Sequence, residues 1–95
     1  MLIDSHAHLY LDSFDRDREK IIRDLKGDGV ELVIVSGASL SSSTKAIALA
    51  SKYNNLYATV GIHPNHVDEM TEETIEALRA LANNKKVVAI GECGL

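Results

Sequence analysis

The sequence contains little cysteine, little proline and few aromatic residues. Cys93 is the only cysteine, so no disulfide forms within the chain, and a reducing compartment is the simpler expectation. Tryptophan is absent, and three tyrosines and one phenylalanine supply all the aromatic rings. We therefore expect an aliphatic core. The single proline, Pro64, lies just after a predicted strand, so it interrupts no predicted element.

An excess of positive charge is also missing. The net charge is −4 at pH 7, which argues against a protein that binds nucleic acid mainly through a basic surface. A site that meets phosphates through bound metal ions stays compatible with this charge. No apolar run approaches the roughly 20 residues of a membrane span, and the first residues lack the features of a signal peptide. We expect a cytoplasmic protein with no membrane association and no obligate protein partner.

Four short apolar runs alternate with amphipathic stretches. The runs are Leu2–Ile3, Leu32–Val35, Tyr57–Ile62 and Val87–Ile90. The last three are rich in β-branched residues without polar alternation, which is the pattern of parallel strands covered on both faces. Strands are predicted to begin near residues 2, 31, 57 and 86. This spacing of about 26–29 residues suits a strand, a crossover helix and two loops.

Three helices are predicted between these strands, because apolar residues recur there at helical spacing. The apolar positions run from Phe14 to Leu25, from Ala46 to Tyr53 and from Ile75 to Ala82. Arg18 is the polar exception in the first stretch. The candidate N-caps are, in chain order, Ser13 or Asp15, the run Ser41–Ser43, and Thr71. Gly27 or Gly29 is expected to end the first helix.

The element order βαβαβαβ predicts a parallel α/β fold. Such alternation gives either an open doubly wound sheet or a (β/α)₈ barrel. Both folds place their functional groups at the carboxyl ends of the strands. No GxGxxG motif follows the first strand, which weakens the dinucleotide-binding alternative. The residues just after each strand are therefore the candidates for a functional site.

Histidines follow two of the predicted strands. The first strand ends in DSHAHL, and in an extended chain His6 and His8 point to the same face. Their imidazoles can converge on one cation, at about 2.0–2.1 Å if it is zinc. The third strand ends in GIHPN, which brings His63 to the same edge of the sheet. His66 lies farther along a polar loop and is predicted to be exposed. The second strand ends in Ser36 and a glycine, which we interpret as a bend.

The fourth strand is followed by GECGL, which places Glu92 at the carboxyl end of the predicted strand. Burying an unpaired carboxylate is costly, and no arginine lies at a strand end, so metal ligation is favoured over a salt bridge. A carboxylate can bridge two divalent ions about 3.5–4 Å apart, which can activate a water and neutralise a phosphoryl group. Cys93 points away from Glu92 in an extended chain and is predicted to pack in the core.

The segments DSHAHL, GIHPN and IGECGL, in this order and spacing, resemble the TatD-type metal-dependent deoxyribonucleases of the amidohydrolase-like (β/α)₈ barrels. The resemblance runs from residue 1 to residue 95. It implies that His6 and His8 bind one metal ion, that Glu92 bridges two, and that His63 lies near the phosphate or the reaction centre. Glu92 and His63 are then the catalytic residues. Asn65 departs from the pattern, because family members often carry a second histidine there.

The resemblance also implies what the complete protein does. Family barrels run to about 250 residues and take two further histidines and an aspartate from later strands. Residues 1–95 are thus expected to be the N-terminal part of a single TIM-barrel hydrolase domain, with strands 1–4 and helices 1–3. The complete protein would be a deoxyribonuclease that uses two divalent ions (zinc, magnesium, manganese or iron) and binds its DNA substrate through them.

Two alternatives stay open. The complete protein could be an amidohydrolase-type enzyme that cleaves C–N or ester bonds, with different ligands beyond residue 95. The isolated 95-residue chain could instead be an inactive fragment or a non-enzymatic α/β module, because its metal shells are unfinished. Half of a parallel barrel also exposes two edge strands and an apolar inner face, which favours association.

Overall fold

The computed structural model describes residues 1–94. Its strands are β1 (Leu2–Ala7), β2 (Val30–Ser36), β3 (Leu56–Val60) and β4 (Val87–Ile90). Its helices are α1 (Arg18–Asp24), α2 (Leu40–Lys52) and α3 (Glu72–Ala82), and 3₁₀ turns span Asp12–Phe14 and Pro64–Glu69. The predicted element order is confirmed, and every strand begins within one residue of its predicted start. Within residues 1–94, none of the helices combines the length and the apolar character needed to cross a bilayer.

The four strands form one parallel sheet in the order β1-β2-β3-β4. Each strand is hydrogen-bonded to the strand that follows it in the chain, so each crossover helix joins two adjacent strands. All four carboxyl ends therefore lie at one edge of the sheet. This arrangement brings the segments after the strands together, as the sequence predicts.

The hydrophobic core lies between the sheet and the helices. Alternate strand residues such as Val33, Val35 and Ala58 are buried there, together with Ala46 and Ala50 of α2. The core is aliphatic as expected: within the described chain no aromatic ring is buried, and three rings pack only at the margin of the core.

The second face of the sheet is largely exposed. Leu32 and Ile34, which alternate with buried residues along β2, are only half-buried, and Leu2 of β1 and Ile90 of β4 are each 64% exposed. The prediction that the last three strands are covered on both faces is therefore wrong for β4. It fails because the helices cover one face only, and because β4 is an edge strand with a single neighbour among the described residues. An exposed sheet face and an exposed edge strand are both expected of half a parallel barrel.

The first helix is shorter than predicted. α1 begins at Arg18, after Asp17 as N-cap, and Phe14 lies in a separate 3₁₀ turn. The choice of Ser13 or Asp15 as N-cap is therefore wrong. The N–H groups of Phe14 and Asp15 donate to carbonyls three residues earlier, which is the tighter 3₁₀ pattern. Asp17 then interrupts the helical geometry with φ −128° and ψ 6°.

The other helix ends follow ordinary capping chemistry. α1 ends at Asp24 with Leu25 as its C-cap, so the prediction that Gly27 or Gly29 ends it is wrong. Gly29, at φ +92°, makes the later turn that leads into β2. Ser39 caps α2, and its Oγ accepts the N–H of Ser42 at 3.1 Å, while the Ser42 Oγ accepts the N–H of Ser39 at 2.9 Å. The predicted cap within the run 41–43 is thus wrong by two residues. Thr71 caps α3 as predicted.

Candidate metal centre

Three predicted ligands converge at the carboxyl edge of the sheet. The ligand atoms of His6, His8 and Glu92 all lie within 4.8 Å of one another. His6 Nε2 is 3.2 Å from His8 Nε2 and 3.7 Å from Glu92 Oε1, and His8 Nε2 is 3.5 Å from Glu92 Oε2. β1 and β4 are the two edges of the sheet, about 14 Å apart if the sheet were flat. The segment after β4 therefore has to reach inwards across the sheet, and its hydrogen bonds to the carbonyls of Val60 and Gly37 show that it does.

The spacing of these atoms fits a divalent cation. Donors at about 2.0–2.1 Å in a tetrahedral zinc shell lie about 3.3–3.4 Å from one another. The two Nε2 atoms are 3.2 Å apart, and each lies 3.5 or 3.7 Å from a different oxygen of Glu92. Imidazole suits zinc and iron, whereas magnesium and manganese prefer oxygen ligands such as the Glu92 carboxylate. His6, His8 and Glu92 are thus the residues of the described chain that could hold an ion.

A hydroxyl group contacts the second ring nitrogen of each histidine. His6 Nδ1 lies 3.2 Å from Ser36 Oγ, and His8 Nδ1 lies 2.8 Å from the Tyr10 hydroxyl. Each contact leaves Nε2 directed towards Glu92. Contacts of this kind orient the ring of a metal-binding histidine.

Sequence reasoning missed both hydroxyl groups. From the sequence, Ser36 is only part of a predicted bend, and Tyr10 is only one of the few aromatic residues. Only Ser36 has a signal in the sequence, because it ends the strand next to β1. Tyr10 follows His8 by two residues, but this spacing places side chains on one face only in an extended chain, and Leu9 and Tyr10 lie in a turn.

Backbone hydrogen bonds anchor the segment that carries Glu92. The Glu92 N–H donates to the Gly37 carbonyl at 2.7 Å, and the Gly91 N–H donates to the Val60 carbonyl at 2.8 Å. The Thr59 hydroxyl donates to the Gly91 carbonyl at 2.8 Å. The segment is therefore tied to β3 and to the loop after β2, which brings the carboxylate inwards from the edge of the sheet.

Two glycines permit this close approach. A Cβ on Gly61 would lie 2.7 Å from the carbonyl oxygen of Glu92, and a Cβ on Gly37 would lie 2.8 Å from that of Thr59. The buried Ser43 of α2 accepts the Gly61 N–H at 3.1 Å and donates to the Gly61 carbonyl at 3.3 Å. Helix packing thus fixes the point at which the chain after β3 passes under the Glu92 segment.

His63 lies beside the ligand cluster but outside it. It lines a cavity of about 490 Å³ together with His6 and Glu92. Its Nδ1 accepts the N–H of Asn65 at 3.0 Å, so a neutral His63 carries its proton on Nε2. The ring therefore offers a hydrogen-bond donor, whereas a metal ligand must offer a lone pair. Its role in a reaction stays a prediction.

Two further residues of the strand-end segments lie outside the cluster. Cys93 is exposed, and the prediction that it packs in the core is wrong. That prediction assumed an extended chain, whereas β4 ends at Ile90 and residues 91–94 are not part of a strand. His66 is exposed as predicted, and its Nδ1 lies 2.9 Å from a carboxylate oxygen of Glu69.

Comparison with known proteins supplies the family. A sequence model of the TatD related DNase family matches residues 3–95. The chain belongs to this family. It is 40% identical over 95 residues to the uncharacterized metal-dependent hydrolase YabD of Bacillus subtilis, and this match covers 100% of the chain. It is 38% identical over 94 residues to the 3'-5' ssDNA/RNA exonuclease TatD of Cronobacter sakazakii, with 99% of the chain covered.

Solved TatD structures share the fold. The chain superposes on YJJV, a TatD homolog from Escherichia coli K12, with a TM-score of 0.86 and 34% identity, and on a TatD family hydrolase from Entamoeba histolytica with 0.88 and 30%. These TatD proteins are TIM barrels, so the four parallel strands correspond to the first half of the barrel. The chain spans 37% of each of these structures and 36% to 37% of the two relatives named above.

Proposed function

We propose that residues 1–95 form the N-terminal part of a single TIM-barrel hydrolase domain, and that the complete protein is a metal-dependent deoxyribonuclease. The observation that carries this proposal is the convergence of two histidine Nε2 atoms and one carboxylate at the carboxyl edge of a parallel sheet. This edge is where barrels of this kind place their active sites. The family match supports hydrolytic chemistry at this edge.

Each ligand has a distinct proposed part in the centre. His6 and His8 bind one divalent ion through Nε2. Glu92 lies beside both histidines, with Oε1 3.7 Å from His6 Nε2 and Oε2 3.5 Å from His8 Nε2, so its carboxylate would join them on that ion. A bridge from Glu92 to a second ion is proposed from the resemblance to the family. Bound divalent ions (zinc, magnesium, manganese or iron) activate a water and neutralise charge on a phosphoryl group.

His63 is proposed to hold the substrate. Its neutral ring carries a proton on Nε2, because Nδ1 already accepts the Asn65 N–H. The ring lines the same cavity as His6 and Glu92. A donor in this position suits a phosphate oxygen of the scissile bond, and it would help to orient the phosphorus towards the attacking water.

DNA is the proposed substrate class. Several relatives are named 3'-5' ssDNA/RNA exonuclease, and the net charge of −4 favours contact with phosphates through metal ions over contact through a basic surface. A single-stranded DNA substrate with a free 3' end is the appropriate probe, and the matching RNA strand tests the choice between the two nucleic acids.

The test uses Glu92→Gln in the full-length protein. The wild type and the variant are stripped of metal with a chelator and then reloaded with the same metal. Nucleotide release from single-stranded DNA should be more than about 100-fold slower in the variant, because loss of a ligand exceeds the 10–100-fold effect of losing one of its outer contacts. His66→Ala is the matched control, since His66 lies in an exposed turn and should leave turnover unchanged. Full activity of Glu92→Gln would contradict the proposal.

A further inference from the structure

Arg18 makes contacts that a surface helix residue does not need. Its side chain is only 21% exposed. Its Nε donates to the Leu9 carbonyl at 2.7 Å, and one terminal nitrogen donates to the carbonyls of Tyr10 at 3.2 Å and Leu11 at 2.8 Å. The same nitrogen lies 2.7 Å from Asp15 Oδ1. The guanidinium group therefore donates hydrogen bonds to three consecutive carbonyls of the loop that follows β1.

These contacts explain why a charged residue occupies an apolar position of the first amphipathic stretch. Buried carbonyls need donors, and among the described residues the carbonyls of Leu9 and Tyr10 receive no backbone N–H. A planar guanidinium presents its donors in one rigid arrangement, whereas a lysine ammonium is a point charge on a flexible stem. Arg18 thus determines the shape of the loop.

The same loop carries the ring that contacts a metal ligand. Leu9 is buried in the core and Tyr10 packs against its margin. The Tyr10 ring meets the His8 ring edge to face, with centroids 5.7 Å apart and an angle of 89° between the planes. The Tyr10 hydroxyl lies 2.8 Å from His8 Nδ1. The backbone and the ring of Tyr10 are therefore both held, one by Arg18 and the other by the core and His8.

We infer that Tyr10, held in place by Arg18, is a positioning residue that fixes His8 as a ligand through Nε2. The inference rests on the proposed metal centre. When Nδ1–H of His8 donates to the Tyr10 oxygen, the lone pair of the neutral ring lies on Nε2, the atom that faces His6 and Glu92. Without the hydroxyl, the ring is free to rotate or to exchange tautomers, and fewer molecules present Nε2 correctly.

Tyr10→Phe tests the hydroxyl alone in the full-length protein. We expect zinc affinity, measured by competition with a chelator, to fall about 10–100-fold, the range typical of outer contacts to metal-binding histidines. Tyr53→Phe is the matched control. Its ring also packs at the margin of the core, and no hydrogen bond of its hydroxyl is found among residues 1–94, so affinity should not change. Thermal unfolding checks that both variants fold.

A spectroscopic readout separates positioning from a general loss of structure. In long-range ¹H–¹⁵N NMR of the zinc-bound protein, His8 should bind through Nε2 and show a slowly exchanging Nδ1 proton. We expect that proton signal to persist in Tyr53→Phe and to be lost in Tyr10→Phe. Its persistence in Tyr10→Phe would overturn the inference.

Arg18→Lys tests whether Arg18 acts on His8 by holding the loop that carries Tyr10. It keeps the charge but loses the planar set of donors, so zinc affinity should fall in the same direction. Because both residues act through His8, the double variant with Tyr10→Phe should bind zinc no more weakly than the weaker single variant.

Three further outcomes would overturn the inference. Losses that multiply in the double variant would show that Arg18 acts independently of Tyr10. If Tyr10→Phe binds zinc as tightly as the wild type, Tyr10 is not a positioning residue. The proposed function would still stand in that case, because the wild type binds zinc. Failure of the wild type to bind divalent metal would overturn both the inference and the proposed function.

Discussion

At the scale of single residues, His6 and His8 are oriented by different means. The hydroxyl on His6 Nδ1 comes from Ser36 on the neighbouring strand, whereas the hydroxyl on His8 Nδ1 comes from Tyr10 in the same loop. The first contact depends on the pairing of β1 with β2, which shifts in register between Asp4 and Ala7. The orientation of His6 is therefore coupled to the sheet, and that of His8 to the local chain.

Ser36→Ala should weaken metal binding without disrupting the fold. Alanine fits the buried site, but His6 Nδ1 loses its partner. We expect zinc affinity to fall about 10-fold, near the lower end of the range for such contacts, because the 3.2 Å contact is longer than that of Tyr10. Chelator competition measures this change. Ser13→Ala, in the exposed 3₁₀ turn, is the control, and an equal loss there would contradict the assignment.

Gly61→Ala should disturb the Glu92 segment. The new Cβ would lie 2.7 Å from the Glu92 carbonyl oxygen, so the backbone has to move. We expect a loss of about 1–3 kcal/mol in the free energy of unfolding together with weaker zinc binding. Gly27→Ala is the control, because its Cβ would meet only the Asp24 carbonyl at 3.6 Å. Denaturant unfolding compares the two, and similar losses in both would refute this account.

At the scale of elements, helix starts depend on single side chains. Ser39→Ala removes the acceptor for the Ser42 N–H at the start of α2. The free energy of unfolding should fall by about 1 kcal/mol, as is typical for an N-cap serine. Ser51→Ala, in the last turn of the same helix, should be neutral or slightly stabilising, because alanine has the higher helix propensity. A larger loss for Ser51→Ala in urea unfolding would contradict this view.

The elements themselves were predictable because their signals are repeated. Three β-branched runs and three amphipathic stretches each rest on several residues, and all six of these elements are present, together with the first strand, which was predicted from the shorter run Leu2–Ile3. Their ends depend on fewer residues. Periodicity could not distinguish Ser39 from the serines that follow it, because the cap is decided by the extended backbone of Ser39, with φ −152° and ψ 172°.

The candidate metal ligands were predictable for a different reason. His6 lies near the end of β1, and His8 and Glu92 lie just after β1 and β4; a parallel sheet brings all its carboxyl ends to one edge. Ser36 and Tyr10 were missed because their roles depend on distances of 3.2 and 2.8 Å between side chains. Such distances follow from side-chain rotamers and from loop geometry, which a pattern of apolar residues does not encode.

At the scale of the whole molecule, the exposed edges predict association. Residues 1–95 produced alone should self-associate in sedimentation and should not hydrolyse DNA. Ile90→Lys on β4 should reduce association, because a charge on an edge strand opposes pairing. Val67→Lys is the control: Val67 is similarly exposed, at 60% against 64% for Ile90, but lies in a 3₁₀ turn. A well-folded wild-type monomer, or metal-dependent cleavage, would contradict this prediction.

The order of the strands has a consequence for synthesis on the ribosome. Each strand pairs with the one made immediately before it, so the contacts of this sheet are between elements close in sequence, which favours their early formation as the chain emerges. His6 and His8 emerge first, and Glu92 comes only after β4. We therefore expect a nascent chain that ends before β4 to bind metal through its two histidines alone. Its metal affinity should rise once Glu92 has left the ribosomal tunnel.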